Sequence, residues 1–364
     1  MSSANTVTAD RMRDWANNLK GPVALHLRER LLPVEGQDAV VFPPTYAFDD
    51  KHGIPYQLDE LSDGTKVAQL DSVGSQANRM EPLFRAASAG RSENQLAALV
   101  PQVTIVLDKE RSVSILDAGH RLGDAICRAS ELHERVENAF ADWKDRGDAT
   151  AIAKLAPTSL VFGVWDSRGA QAKVPRIVQS VIRAWDVDAL TRSAQYNPPV
   201  DYAALDVFSD EEKAKEEGNT KSPLAQQGFV HVPAVGTHGG IVVRGGIFRD
   251  VTINLVALRQ LDGENGDILR EYVLGLALVA ATEPTDGYLR QGCLLTLDPD
   301  NPSVWNEVDR SGKRTPVDFG GDVVLSFAKG TAARFGVGES GSFAFRKERA
   351  KGDVAAAKKK AKSK

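Results

Sequence analysis

One short stretch places the tightest local constraint on this chain. Residues 71–82 read DSVGSQANRMEP. On a helix, Val73, Ala77 and Met80 form an apolar stripe at i, i+4 and i+7. Ser72, Ser75, Gln76 and Arg79 then share another face, with Asn78 beside them. Asp71 or Ser72 can cap the start by accepting from an unpaired backbone N–H, and Pro82 stops or kinks the helix at Glu81. Hydroxyl, amide and guanidinium groups beside a helix N-terminus suit an anion such as phosphate. The plainer reading of the same residues is a capped surface helix with an ordinary polar face.

The remaining sequence narrows the class. A chain of 364 residues can bury a large core and carry more than one sub-domain. The longest apolar run, 273–281, is far shorter than the ~20 residues a spanning helix needs, and the first residues lack the apolar core of a secretion signal. Cys127 and Cys293 stand far apart, with no zinc pattern or disulfide framework. A cytoplasmic protein without membrane, metal or cofactor is the expectation. The net charge of -4 is unevenly spread: 346–364 holds nine Lys or Arg against two acids, leaving an acidic body before it. That tail reads as basic, disordered and either RNA-attracting or merely solvated. An acidic body argues against a protein coated in nucleic acid but permits a local basic groove.

Periodicity gives a coarse map. A helix and strand occupy 10–32, with Trp15, Leu19, Val23, Leu25 and Leu27 facing the core. A short strand at 40–42 precedes a turn-rich stretch at 45–70, where Asp63-Gly64 suits a hairpin turn. Strands are expected at 103–107 and 113–116, and 88–94 is a loop. Residues 119–141 read as one core helix on the spacing of Leu122, Ile126, Ala129, Leu132, Val136 and Phe140. A helix at 148–156 is capped by Asp148 and closed by Pro157. Residues 159–165 read as a buried strand ending in the core residue Trp165. A basic loop and a helix at 177–185 follow. An excursion is placed at 190–240, with a mobile acidic insertion at 206–221. Further expectations are a hydrophobic helix at 268–281, a strand at 289–297, a loop-rich stretch at 298–322, and strands at 323–327 and 342–345. The chain is thus read as one domain over 1–345.

Enzyme motifs fail singly. Residues 336–341 match GxGxxG, but the following SFAF is strand-like where a dinucleotide fold needs a helix. No GxSxG, Walker loop or HExxH occurs, and no two histidines share a metal-ligand spacing. Asp124 and Asp166 could hold a metal or move protons; their simpler role is to pair with Arg121, Arg168 or Arg79. Basic, glycine-bearing segments remain. Arg168, Gly169, Lys173 and Arg176 cluster after Trp165, Arg121 opens the 119–141 segment facing an anion or a buried acid, and Arg244 and Arg249 each flank a strand or glycine turn. Such groups suit phosphate contact through side chains and backbone N–H.

These segments together carry a resemblance. DSVGSQANRMEP at 71–82, GHRLGDA at 119–125, LAPTSLVFGVWDSRG at 155–169, GGIVVRGGIFRDVTINLVALR at 239–259 and LRQGC at 289–293 resemble the backbone subunit of the type I-G (formerly I-U) CRISPR interference complex. The resemblance covers roughly 40–297. It implies an α+β fold of the RAMP group, with an RRM-like (ferredoxin-like) palm, inserted fingers and a thumb, placed at 190–240. It implies a non-catalytic protein that stacks head to tail along a guide RNA (crRNA), beside other subunits of the complex, and exposes the guide for pairing with target DNA. The residues expected to touch RNA are Ser72, Ser75, Gln76, Asn78, Arg79, Arg121, Arg168, Gly169, Lys173, Arg176, Arg244 and Arg249. The alternative within the same group is a metal-dependent RNA endonuclease using an aspartate. The guide-binding reading requires 71–82 and 165–176 to face one electropositive channel.

Overall fold

The computed structural model describes residues 4–46, 56–87, 92–284 and 286–362. The expected loop at 88–94 and much of the turn-rich stretch at 45–70 therefore lie partly outside the described residues. Helix α1 (Ala9–Asn17) leads into strand β1 (Ala24–Pro33), and strand β2 (Lys66–Asp71) runs into helix α2 (Val73–Met80). Helix α3 (His133–Arg146) is followed by strand β3 (Val178–Trp185). Strands β4 (Val187–Tyr196) and β5 (Val232–Val243) form a ribbon, and strand β6 (Ile247–Asn254) returns to the sheet. Helix α4 (Gly266–Thr282), strand β7 (Cys293–Leu297), strand β8 (Trp305–Val308) and helix α5 (Val323–Phe335) complete the frame.

The fold is mixed α+β, organised on a large mixed sheet whose central order is β8–β1–β6–β3–β2. β6 is antiparallel to both β1 and β3, in register Arg249↔Glu29 and Arg249↔Ile182. β7 and β8 both pair with β1. Directly opposed residues point to the same face. One face therefore gathers Leu25, Leu27, Val178, Ile182, Val251 and Ile253, all buried in the core. The main core cluster joins this face to Met12 and Trp15 of α1 and to the nearly all-buried α4. The opposite face carries His26, Arg28, Arg30, Gln179, Arg183, Phe248, Asp250 and Thr252, partly or fully exposed. That division follows from alternation along β6, where every second residue is buried.

Several expectations change. Residues 177–185 form the strand β3. Val178, Val181 and Ile182 satisfy a helical spacing, yet they are β-branched, and the strand gains a ladder to β6 along 178–184 and to β2 along 182–185. The expected strand at 159–165 is instead the buried helical turn Thr158–Phe162, followed by the short strand Val164–Trp165. The expected single helix at 119–141 is divided. Arg121–Gly123 is a 3₁₀ turn, Asp124 caps the short helix Ala125–Arg128, and α3 starts only at His133. Ser130 causes the second break: its Oγ donates to the Cys127 carbonyl at 2.7 Å and accepts from Leu132 N–H at 3.1 Å. The stripe residues Leu122, Leu132, Val136 and Phe140 are nevertheless buried.

Near the C-terminus, 323–327 begins a helix, and the expected loop region contains β8 and the strand Arg314–Asp318. Leu19 is 68% exposed where core packing was expected. The 40–42 strand reduces to a single bridge, Val41↔Ile241. The basic tail is helical over Lys347–Lys362, and the acidic insertion holds the exposed helix Asp210–Glu216 with a complete Ser209–Glu212 capping box. The glycine-rich 336–341 stretch is followed by the strand Gly341–Ala344, as its sequence implies, with no dinucleotide-type helix.

Candidate nucleic-acid interface

A groove of about 830 Å3 opens where residues 119–123 meet residues 163–176. Its walls include Arg121, Trp165, Arg168, Lys173 and Arg176, together with His120, Ser167 and Gln260. The floor is built by a small hairpin, in which Val164–Trp165 pairs with Lys173–Val174. Trp143 of α3 fixes that hairpin by donating from Nε1 to the Lys173 carbonyl at 2.9 Å. The entry to the hairpin depends on Gly163, which has φ +76°; a Cβ there would meet the Arg176 backbone at 3.2 Å.

Asp166 shapes the loop. It is buried, accepts from Gly169 N–H at 3.1 Å and Ala170 N–H at 2.6 Å, and its own N–H donates to the Ala172 carbonyl. Its carboxylate is therefore spent on backbone, which corrects the expectation that it pairs with Arg168. The Gly169 N–H is likewise engaged inside the loop. Asp124 caps the helix Ala125–Arg128 through Ile126 N–H at 3.1 Å, so it too is a backbone partner.

The loop presents exposed Ser167 and Arg168 at the groove, with exposed Lys173 across from them. Trp165 is 56% exposed, a correction to its reading as a core anchor. The Lys173 ammonium lies 4.9 Å from its ring centroid. The polar turn starting directly after Trp165 is the sequence signal that could have revealed this. Arg176 lies deeper, donating from Nε to the Phe162 carbonyl at 2.7 Å. Burial, then the nearby Arg121 charge, lowers its pKa. Arg121 forms the back of the groove with φ +52°, its Nε 2.7 Å from the Glu81 carboxylate. Of the two sequence readings for that position, the structure provides the buried acid. Burial pushes the Glu81 carboxyl up to about 7, opposed by the Arg121 charge and a Thr158 hydrogen bond.

The 71–82 segment is folded differently from its expected use. Ser72 caps α2, accepting from Ser75 N–H at 3.1 Å. The polar face of α2 turns toward the sheet. Gln76 donates to Asp71 Oδ2 at 2.6 Å, Ser180 Oγ donates to Gln76 Oε1 at 2.7 Å, and Arg249 Nε donates to Ser180 Oγ at 3.1 Å. Arg249 also pairs with Glu29 at 2.9 Å. Arg79 donates to Asp71 Oδ2 at 3.0 Å and to the Tyr288 and Leu289 carbonyls. Only Asn78 of this set is exposed.

Gln76 and Arg249 line a separate cavity of about 730 Å3 over the buried face of the sheet. Arg244 lies at the base of the ribbon, paired with Asp188 at 2.6 Å. The structure therefore joins Arg121, Arg168, Lys173 and Arg176 in one groove, and sets Gln76 and Arg249 in another cavity. Neither of these two cavities is lined by both the 71–82 and the 165–176 segments. Their link is the Arg121–Glu81 pair. The shared channel expected from the sequence is not formed within one chain.

Residues 25–189 match the family described as CRISPR-associated protein GSU0053. The match covers 165 of the 364 residues, less than half of the chain, and is a likeness of that stretch to a CRISPR-associated family. It takes in β1, α2, both groove segments and β3, and stops within the outgoing strand of the ribbon. Arg244 and Arg249 lie beyond it. No curated protein matches the chain. Among the described residues, no group of three His, Cys, Asp or Glu side chains is placed to hold a metal ion. No helix there is long and apolar enough to cross a membrane.

Proposed function

We propose that this protein is a guide-RNA-binding backbone subunit of a type I-G CRISPR interference complex, and that the 119–123/163–176 groove holds the RNA without the 71–82 segment that the sequence reading required beside it. One observation carries the reading. Within the stretch matched to a CRISPR-associated family, an exposed tryptophan, a lysine over its ring and an arginine on a clasped loop face one groove. An aromatic platform with adjacent cations suits a single strand held without regard to sequence.

Two features of the fold support the rest. The order β8–β1–β6–β3, with α4 crossing between β6 and the β7/β8 edge, matches the strand order of a ferredoxin-like palm. The β4–β5 ribbon runs out from the sheet with β4 exposed along nearly its whole length, as a thumb reaching a neighbouring copy requires. Copies stacked head to tail gain avidity from one shared strand without stronger individual contacts. The subunit holds RNA and leaves cleavage to other proteins.

Co-expression with a CRISPR repeat-spacer transcript, followed by sequencing of co-purified RNA, tests the proposal. Enrichment of spacer-containing RNA in multi-copy assemblies is the expected result. Protein that purifies as a monomer free of nucleic acid overturns it.

A further inference from the structure

The cavity of about 730 Å3 at the C-terminal end of α4 plays no part in the groove. Leu27, Ile182, Leu295, Trp305 and Phe319 give it apolar walls. Arg249 also lines it, only 6% exposed, and its Nη2 has no hydrogen-bond partner. A buried donor left unpaired costs about 1–3 kcal/mol, so an acceptor entering the cavity is favoured. Glu283, Asp286 and Asp318 stand around it, and none of them forms an ion pair among the described residues. Leu297 and Val304, both exposed, share this mouth. Three carboxylates repel a phosphate chain, so nucleic acid is a poor occupant. An apolar anchor flanked by cations fits the site.

The chain itself carries such a segment. The helix Lys347–Lys362 holds seven Lys or Arg against two acids, Glu348 and Asp353. Lys347, Lys351, Val354 and Lys358 fall at i, i+4, i+7 and i+11, which puts them on one face, and all four are exposed. Asp353, next to Val354, forms no ion pair among the described residues. None of these residues lines the cavity of its own chain. We propose that the C-terminal helix of a second copy docks at this cavity. Val354 meets the apolar walls, Lys351 and Lys358 meet the carboxylates at the mouth, and Asp353 brings an acceptor toward Arg249. Charge complementarity selects this occupant: an acidic mouth faces a strongly basic helix. Both the helix and the three carboxylates lie outside residues 25–189. The inference does not rest on the groove reading.

The test is sedimentation velocity on nuclease-treated, full-length protein over a dilution series, with circular dichroism to check that the fold is retained. The wild type should self-associate without RNA. Asp286→Lys/Asp318→Lys and Lys351→Glu/Lys358→Glu should each weaken the association about tenfold, because like charges then oppose each other. Combining all four substitutions in one chain should restore it. A second measurement mixes two singly substituted chains, Val354→Cys and Leu297→Cys, and oxidises them; a disulfide-linked heterodimer is expected. A wild type that stays monomeric at the highest concentration tested overturns the proposal. So does association that either charge reversal leaves unchanged, or that the combined variant fails to restore. A disulfide that forms within the doubly substituted chain but not between the mixed chains overturns the second copy as occupant. A tail variant that loses RNA affinity while self-association is unchanged assigns the helix to RNA and overturns the docking. Each of these failures leaves the groove's RNA affinity to be judged separately.

Discussion

The Arg121 guanidinium lies 2.7 Å from the Glu81 carboxylate, and both side chains are buried. This pair joins the end of the α2 segment to the back of the groove. Glu81 is held up to about 7 by burial, against an ordinary value near 4.5. The folded chain therefore retains a proton that the unfolded chain releases. Stability from this group is fully present below about pH 4.5 and declines as pH rises toward 7, by an amount on the order of 3 kcal/mol. Glu81→Gln should flatten that part of the stability–pH profile in urea denaturation at pH 5, 6, 7 and 8. Arg121→Met removes the cation that favours the carboxylate, and should cost about 3–5 kcal/mol at pH 8 and less at pH 5. Equal losses at both pH values would show that the pair is not coupled through this proton.

Trp165 provides the clearest separation of function from folding. Its ring is exposed, so Trp165→Ala should leave the melting temperature nearly unchanged. RNA affinity should fall by about 1–3 kcal/mol, the value of one base stacked on an aromatic ring. The salt slope should stay the same, because no phosphate contact is removed. Anisotropy titrations at three salt concentrations give both quantities, and an unchanged affinity would remove Trp165 from the interface.

Arg79 and Arg168 should behave in opposite ways. Arg79 ties buried Asp71 to the Tyr288 and Leu289 carbonyls. Arg79→Ala should therefore destabilise the protein by about 1–3 kcal/mol, the cost of leaving buried acceptors unpaired, with its salt slope intact. Arg168→Ala should keep stability and flatten the RNA salt slope by about 0.7. A flattened slope for Arg79→Ala would return α2 to the RNA surface.

Much of the frame was legible in the residues themselves. Helix α4 has enough apolar residues on every side to require burial, so it needed no outside information. Asp63-Gly64 likewise marked the hairpin between Leu58–Glu60 and β2. The basic residues after Trp165 were identifiable as a group because charge and glycine crowd into a few positions. Local spacing failed where two periodicities fit equally. Residues 177–185 satisfy a helix as well as a strand, and only ladders to β6 and β2 select the strand.

The same limit applies to the candidate site. The residues of 71–82 establish a capped helix with one polar face, and that is what forms. Its orientation depends on Ser180, Glu29, Arg249 and the 288–289 carbonyls, which lie more than a hundred positions away or on a distant part of the chain. A polar helix face looks identical in sequence whether it meets water, phosphate or buried partners. Packing decides, because an unpaired buried donor costs more than an exposed one gains. By itself the sequence determined the helices with strong patterns, the alternating strands and the types of residue available to hold a polyanion. Tertiary structure alone decided which guanidiniums are consumed inside the fold and which, with Trp165, are left at the surface.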